Sequence, residues 1–464
     1  MHFLHFFILL VHNKSNNPQK VKNMKKIIAL ILLMFSLAQV LSGCGCQRMA
    51  GSIYYLNFKP EVAGVYNRIA TDYQKETGID LRVVTAASGT YEQTLKSELG
   101  KSNAPSILHF NGPVGYRSWK EYCSDLSNTE IYQHLTDKSL ALSDENGVWG
   151  IPQVVEGYGI IYNKAITDAY LALPNRSTNI TSMDDIRSFS DFKAVVEDMS
   201  AHKNELGIEG VFGATSLKSG EDWRWTTHLA NVALHYEFQD KGIDLTDPNQ
   251  LKTVDFSYND QYKQIFDLYI NNSTTDKKLL GSKQVSDSMA EFALGKCAMI
   301  QNGNWAWSQI KDIEGNKVAK ENIKIMPIYI GAEGEENQGI CIGTENYLTI
   351  NAKSDEQTRK NSADFLNWLY SSDAGKDYVS KELNFIAPYD TFKQDDRPDD
   401  PLSVEVMDWM DKEDIKNVTW DFVVFPSQNF KDDFGAALLQ YAQGTISWQQ
   451  VKDVFVTRWQ QESL

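Results

Sequence analysis

Trp305 stands directly after Asn302-Gly303-Asn304, and this placement of an aromatic ring beside carboxamides, at the end of the short apolar run Cys297 to Ile300, is the most pointed chemistry in the sequence. Related groups recur where other apolar runs end. Glu61 closes Lys59-Pro60-Glu61 after Ser52 to Phe58, Ser88 lies in Ala87-Ser88-Gly89-Thr90, Asn111 precedes Gly112-Pro113, and Glu156 interrupts the run Gln153 to Lys164. A sugar presents flat C–H faces and a dense edge of hydroxyls, so a site for it needs an aromatic platform and Asp, Glu, Asn or Gln partners, since hydroxyls buried without partners are costly. The inventory is rich in the first requirement, with 11 Trp, 21 Tyr and 21 Phe, although large cores of extracellular proteins are aromatic-rich too. Trp305 and Trp307 are two apart and cannot share a helix face, so one can pack inward while the other faces a cleft. Trp223, Trp225 and His228 form a second polar and aromatic cluster.

Enzymatic signatures are thin. None of G-x-S-x-G, H-E-x-x-H, G-x-G-x-x-G or G-x-x-x-x-G-K-[ST] occurs, and three of the eight histidines precede Met24. The 61 acids leave a carboxylate pair for glycoside hydrolysis open without specifying one. No C-x-x-C or Cys/His spacing suits a metal, and no cofactor is expected. Cys123, Cys297 and Cys341 read as buried unpaired thiols, with a disulfide among them as the alternative.

The elements that must position these residues alternate. Ser52 to Phe58 reads as a strand, and Val65, Ile69 and Tyr73 mark a helix that stops at Thr77-Gly78. Ile79 to Val84 is a second strand, Tyr91, Leu95 and Leu99 a second helix, and Ser106 to Phe110 a third strand ending in the turn Asn111-Gly112-Pro113. This order predicts an α/β fold with a largely parallel sheet, whose strand carboxyl ends gather ligands. Gln153 to Lys164 reads as a strand leaving one domain for another. Helical spacing recurs at Met183 to Met199, Trp223 to Tyr236, Tyr262 to Ile270, Ser282 to Leu294, Asp364 to Tyr370, Ser403 to Met410, Phe434 to Tyr441 and Trp448 to Trp459. Ile323 to Ile330 and Gly339 to Ile350 read as strands.

The N-terminal region decides the compartment. Lys25-Lys26, the apolar run Ile27 to Val40 and the closing Leu41-Ser42-Gly43 have the layout of a secretory signal, too short for a membrane-spanning helix. Residues before Met24 read as a translation-start artefact or an extension lost on cleavage. Leu41-Ser42-Gly43-Cys44 resembles a lipoprotein lipobox, which implies lipidation of Cys44, removal of residues 1–43 and a tether over 44–51. The first 43 residues hold five lysines and no acid, so the remaining chain has 40 basic against 61 acidic side chains, a formal charge of −21 that disfavours nucleic acid as a partner.

The lipobox, Val155-Glu156-Gly157-Tyr158-Gly159-Ile160-Ile161-Tyr162-Asn163-Lys164, and Gly295-Lys296-Cys297-Ala298-Met299 with Asn302-Gly303-Asn304-Trp305-Ala306-Trp307 together resemble the extracellular solute-binding lipoproteins of bacterial carbohydrate ABC importers, the family of maltose-binding protein. The resemblance implies a two-lobed periplasmic-binding-protein-like fold of type II with a central cleft. Lobe 1 would comprise 52–155 and 344–388, and lobe 2 would comprise 156–343 and 389–464. Crossings would fall near Gln153 to Gly157, Gly339 to Glu345 and Phe385 to Asp395. It implies Glu156 as a hinge-side carboxylate for sugar hydroxyls, Trp305 as a stacking platform and Trp307 as packing within the lobe. The ligand-binding set is Glu61, Ser88, Asn111, Glu156, Tyr158, Trp223, Asn302, Trp305 and Glu345. The partners implied are an oligosaccharide and the membrane permease of an ABC transporter. The protein would be a lipid-anchored monomer on the extracytoplasmic face of a Gram-positive membrane. The turn Asn111-Gly112-Pro113-Val114-Gly115 lacks the acidic and aromatic residues of the maltose-binding relatives, so another oligosaccharide is expected. The rival readings are a lipid-anchored glycoside hydrolase or carbohydrate esterase, and a binder of a non-sugar solute such as a peptide or polyamine.

Overall fold

A computed structural model describes residues 51–463. The signal segment, Cys44 and its expected lipidation lie outside the described residues. Twelve strands are described: β1 (Ile53–Asn57), β2 (Leu81–Thr85), β3 (Ile107–Asn111), β4 (Leu142–Asp144), β5 (Gly147–Pro152), β6 (Glu156–Asn163), β7 (Gly210–Phe212), β8 (Cys297–Gly303), β9 (Ile323–Met326), β10 (Gln338–Gly343), β11 (Asn346–Ile350) and β12 (Lys416–Thr419). They form two sheets of six, one ordered β2-β1-β3-β11-β5-β4, the other β12-β10-β6-β8-β7 with β9 paired to β6.

The expected alternation builds the first sheet. The helix Ala63–Thr77 buries Tyr66, Ile69 and Tyr73, which lie three and four residues apart on one face, and stops at Gly78, whose φ of 74° is costly for any residue with a Cβ. The helix Tyr91–Leu99 buries Tyr91, Leu95 and Leu99 in the same way. Strands β1, β2 and β3 are parallel, but β11 runs antiparallel to β3 and β5. In the second sheet β6 is antiparallel to β8, β9 and β10. The sheets are therefore mixed rather than largely parallel, because strands arriving from the other sheet enter in the opposite direction.

Asn111-Gly112-Pro113 opens a helix, Gly112–Trp119, instead of a simple turn. Proline is favoured in the first helical turn, where its missing N–H has no carbonyl to meet. Strand β5, Gly147–Pro152, precedes the expected crossing strand and ends one residue before Gln153. The segment expected as one strand from Gly339 to Ile350 is two, β10 and β11, in different sheets with Thr344-Glu345 between them.

Two passages between the sheets are thus short: Gln153 to Val155, and Thr344-Glu345. The third lies beyond Phe392, since Tyr389 is buried in the first core with Phe392 packed against it, whereas Leu402 is buried in a core of the second. The Tyr389 hydroxyl donates to the Pro152 carbonyl at 2.6 Å, which holds this stretch on the first sheet past position 388. Cys123, Cys297 and Cys341 are buried and unpaired. Among the described residues no helix is long and apolar enough to cross a membrane.

Candidate functional site

The site grows from the loop after β1. Asn57 accepts from the Lys59 amide at 3.1 Å and donates to the Lys59 carbonyl at 2.9 Å, so the loop is clamped before Pro60 starts a short 3-10 turn. The clamp directs Lys59 across to the first residue of β6, where its Nζ donates to both carboxylate oxygens of Glu156, at 2.8 and 2.9 Å. Lys59 and Glu156 are 5 % and 3 % exposed, so each buried charge depends on the other. Glu61 Oε1 lies 4.0 Å from the same Nζ.

Asn304 joins this pair to the aromatic side. Its Oδ1 accepts from the Gly157 amide at 3.1 Å, its Nδ2 donates to Ser403 Oγ at 3.1 Å, and its own amide donates to the Gly157 carbonyl at 3.0 Å. Trp305 is held one residue further on, with its ring against Gly303. A Cβ built on that glycine would stand 2.1 Å from the ring, so only glycine permits the packing. Lys59 Nζ lies 5.9 Å from the Trp305 ring centroid and 5.8 Å from that of Phe385.

Around Trp305 stand Trp223 at 6.1 Å, His228 at 5.6 Å and Trp420 at 6.4 Å between ring centroids. The stretch containing Trp223 and His228 winds as a π-helix over Arg224–Leu229 before the helix Ala230–Lys241. Such wide turns often occur at functional sites. Burial, with Arg224 and Lys431 adding to it, holds His228 well below the ordinary imidazole range and therefore neutral. His228 Nδ1 and Trp420 Nε1 are buried with no hydrogen-bond partner among the described residues.

The carboxylates feel one another. Burial raises the Glu61 carboxyl and Glu156 raises it further, while Lys59 opposes. Glu345 is raised by burial and by Glu156, against Lys59 and Lys431. Lys59 itself is dominated by burial, which would lower it, but Glu156 and Glu61 together hold it above its ordinary value. Among the described residues no group of three or more His, Cys, Asp or Glu is placed to hold a metal ion.

Of the residues singled out in the sequence, Glu61, Glu156, Trp223, Trp305 and Glu345 come together here. Asn111 is adjacent: it pairs with Asn346 across β3 and β11, and the Gly112 amide donates to the Glu345 carbonyl at 3.3 Å. Tyr158 is not on the surface of the site. His228 lies flat on it, with ring centroids 4.0 Å apart and planes 7° from parallel, and the Tyr158 hydroxyl donates to the His228 carbonyl at 3.1 Å. Asn302 is fully buried, its Nδ2 against Met289 Sδ at 3.3 Å and its Oδ1 accepting from the Gly303 amide. Ser88 is exposed in a turn whose Gly89 lies against the backbone of Gly220.

Lys59 and Trp420 were not foreseen as site residues. A polar-aromatic cluster pointed at His228, but nothing local ties Lys59 to a carboxylate 97 positions away.

A family model for bacterial extracellular solute-binding proteins matches residues 68–402. No curated protein matches the sequence. Among solved structures, a chitin oligosaccharide binding protein superposes with a TM-score of 0.67 at 17% identity, covering 89% of this chain and 99% of that one. The solute-binding protein RafE in complex with raffinose gives 0.66 at 18%, covering 89% and 100%; RafE is also known in its apo form from Streptococcus pneumoniae. A sugar transporter from Bacillus licheniformis in complex with stachyose gives 0.63 at 17%, covering 89% and 99%. At these identities the likeness establishes a shared fold.

Proposed function

We propose, from the premise that this chain belongs to the bacterial extracellular solute-binding proteins, that it captures an oligosaccharide outside the cytoplasm and delivers it to the membrane permease of an ABC transporter. The observation that carries this reading is the junction of a carboxylate cluster with an aromatic wall at the chain crossings: Glu156 beside Lys59, and Trp305 beside Trp223, linked through Asn304. Carboxylates and a lysine bond hydroxyls, and Trp305 stacks on a C–H face. Glu61, Asn111, Trp223 and Glu345 complete the set. The unpartnered His228 Nδ1 and Trp420 Nε1 are further candidates for a ligand's polar groups, because buried polar atoms rarely go unpaired.

In this reading the sheets belong to two lobes that close on the sugar, with ligand contacts from both lobes selecting the closed form. The order that inserts β11, returning from the other lobe, between β3 and β5 supports the type II arrangement. A maltose-like sugar is disfavoured by the first-lobe turn Asn111 to Gly115. Cys44 lipidation would tether a monomer to the outer face of a Gram-positive membrane. The test is a thermal-shift and calorimetric screen over neutral oligosaccharides, peptides and amines, with recovered sugars checked for cleavage. A sugar bound and returned intact supports the proposal; a cleaved sugar makes the protein a hydrolase.

A further inference from the structure

The Lys59 ammonium occupies the point where the anionic and aromatic sides of the site meet. It donates to both oxygens of Glu156, stands 4.0 Å from Glu61, and lies within 6 Å of the ring centroids of Trp305 and Phe385. Carboxylates and aromatic faces in this arrangement are what recognises an organic cation, since ring quadrupoles attract ammonium groups at about this distance. Glu61, Glu156 and Glu345 are the carboxylates set around Lys59, while Lys431 acts on Glu345 and Arg224 lies over Trp223 on the aromatic side.

Resting on the oligosaccharide reading above, we infer that Lys59 is a specificity-determining residue: a cation tethered to the first lobe, which fills the cation-binding corner and leaves the site to uncharged polyhydroxylated ligands. Three features make it a fixed part of the wall. The side chain is almost wholly buried, the Asn57 clamp fixes its backbone, and the Glu156 pair fixes its tip. An ammonium has three donors. Two go to Glu156, and Glu61 at 4.0 Å is beyond hydrogen-bond reach, so one N–H is available to a ligand hydroxyl. An incoming amine would meet a like charge and would have to displace a lysine already held in the same place, whereas a neutral sugar adds a hydroxyl to an existing network.

The test compares wild type, Lys59→Gln and Lys59→Arg by calorimetry against spermidine, and against a neutral panel containing raffinose and a chitin oligosaccharide. A buffer of about 0.15 M salt screens the acidic surface. Lys59→Gln removes the charge while keeping a donor toward Glu156. It is expected to bind spermidine at one site at least tenfold more tightly than wild type, while Lys59→Arg, which keeps the cation, behaves as wild type. A folded Lys59→Gln protein with spermidine affinity within twofold of wild type overturns the inference. So does a wild type that already binds spermidine as tightly as the variant. If Lys59→Gln melts below the assay temperature, its melting point is read with and without spermidine; a rise absent from wild type supports the inference and no rise overturns it. The oligosaccharide reading is judged on wild type with the neutral panel, and the Lys59 inference on the difference between proteins toward spermidine, so the two can fail separately.

Discussion

Replacing Trp305 with alanine removes the platform on which the proposed sugar stacks, and the structure bounds the effect. Trp305 is half-buried, lies against Gly303 and is surrounded by Trp223, His228 and Trp420, so its remaining surface is the part open to a ligand. Stacking one sugar ring removes from water roughly 50 Å² on the indole and about as much on the sugar, and about 100 Å² at ~25 cal/mol per Å² is about 2.5 kcal/mol. That corresponds to about 70-fold in Kd, and incomplete overlap lowers it toward tenfold. The assay is calorimetric titration of wild type and Trp305→Ala with whichever oligosaccharide the screen identifies, alongside thermal melts to establish that both are folded. A loss of between ten- and seventy-fold in a folded variant is expected. An affinity within twofold of wild type would refute the stacking role and with it the orientation assigned to the ligand.

Three further outcomes are expected. In the proposed two-lobe reading, Gly89→Ala should hold the lobes apart, because a Cβ there would stand 2.6 Å from the Gly220 carbonyl oxygen at a φ of 68°; small-angle scattering should show a larger radius of gyration than wild type in the same buffer. Asp222 is 5 % exposed, and burial first, then Asp432 and Glu221, push its carboxyl up to about 7. Folding therefore takes up a proton between about pH 4 and 7, so this group's contribution to stability is complete below that window and is lost as pH rises through it; denaturant melts of Asp222→Asn should lack that part of the slope. Cys44→Ser should move the protein from the membrane fraction to the medium and abolish incorporation of labelled fatty acid, and continued membrane retention would remove the lipid anchor from the account.

The parts of the fold that were legible in the sequence are those set by local periodicity. Tyr66, Ile69 and Tyr73, or Tyr91, Leu95 and Leu99, lie on one helix face whatever the rest of the chain does, and they are buried as that spacing predicts. Strand β5 was missed because Gly147 to Pro152 carries two glycines and a proline and owes its conformation to β11 and β4 on either side. The helix at Gly112 was missed because Gly-Pro reads as a turn when the helix-start meaning of proline is not weighed. In the candidate site, Glu156 and Trp305 were singled out by chemical type and position, and the fold brings them to the same junction. Tyr158 was misplaced because strand alternation puts it on the same side as Glu156 but cannot reveal that His228 covers it. Lys59 was invisible for the complementary reason: its meaning comes from Glu156, and the two meet only once the chain has crossed between sheets.

The most direct test of the central claim is titration of the intact wild-type protein with a panel of neutral oligosaccharides, followed by structure determination of the tightest complex. One-to-one binding of a sugar recovered uncleaved, with density stacked on Trp305 and hydroxyls on Glu156 and Lys59, is the predicted result. A ligand seated elsewhere on the chain, or a panel in which only peptides or amines bind, would contradict it.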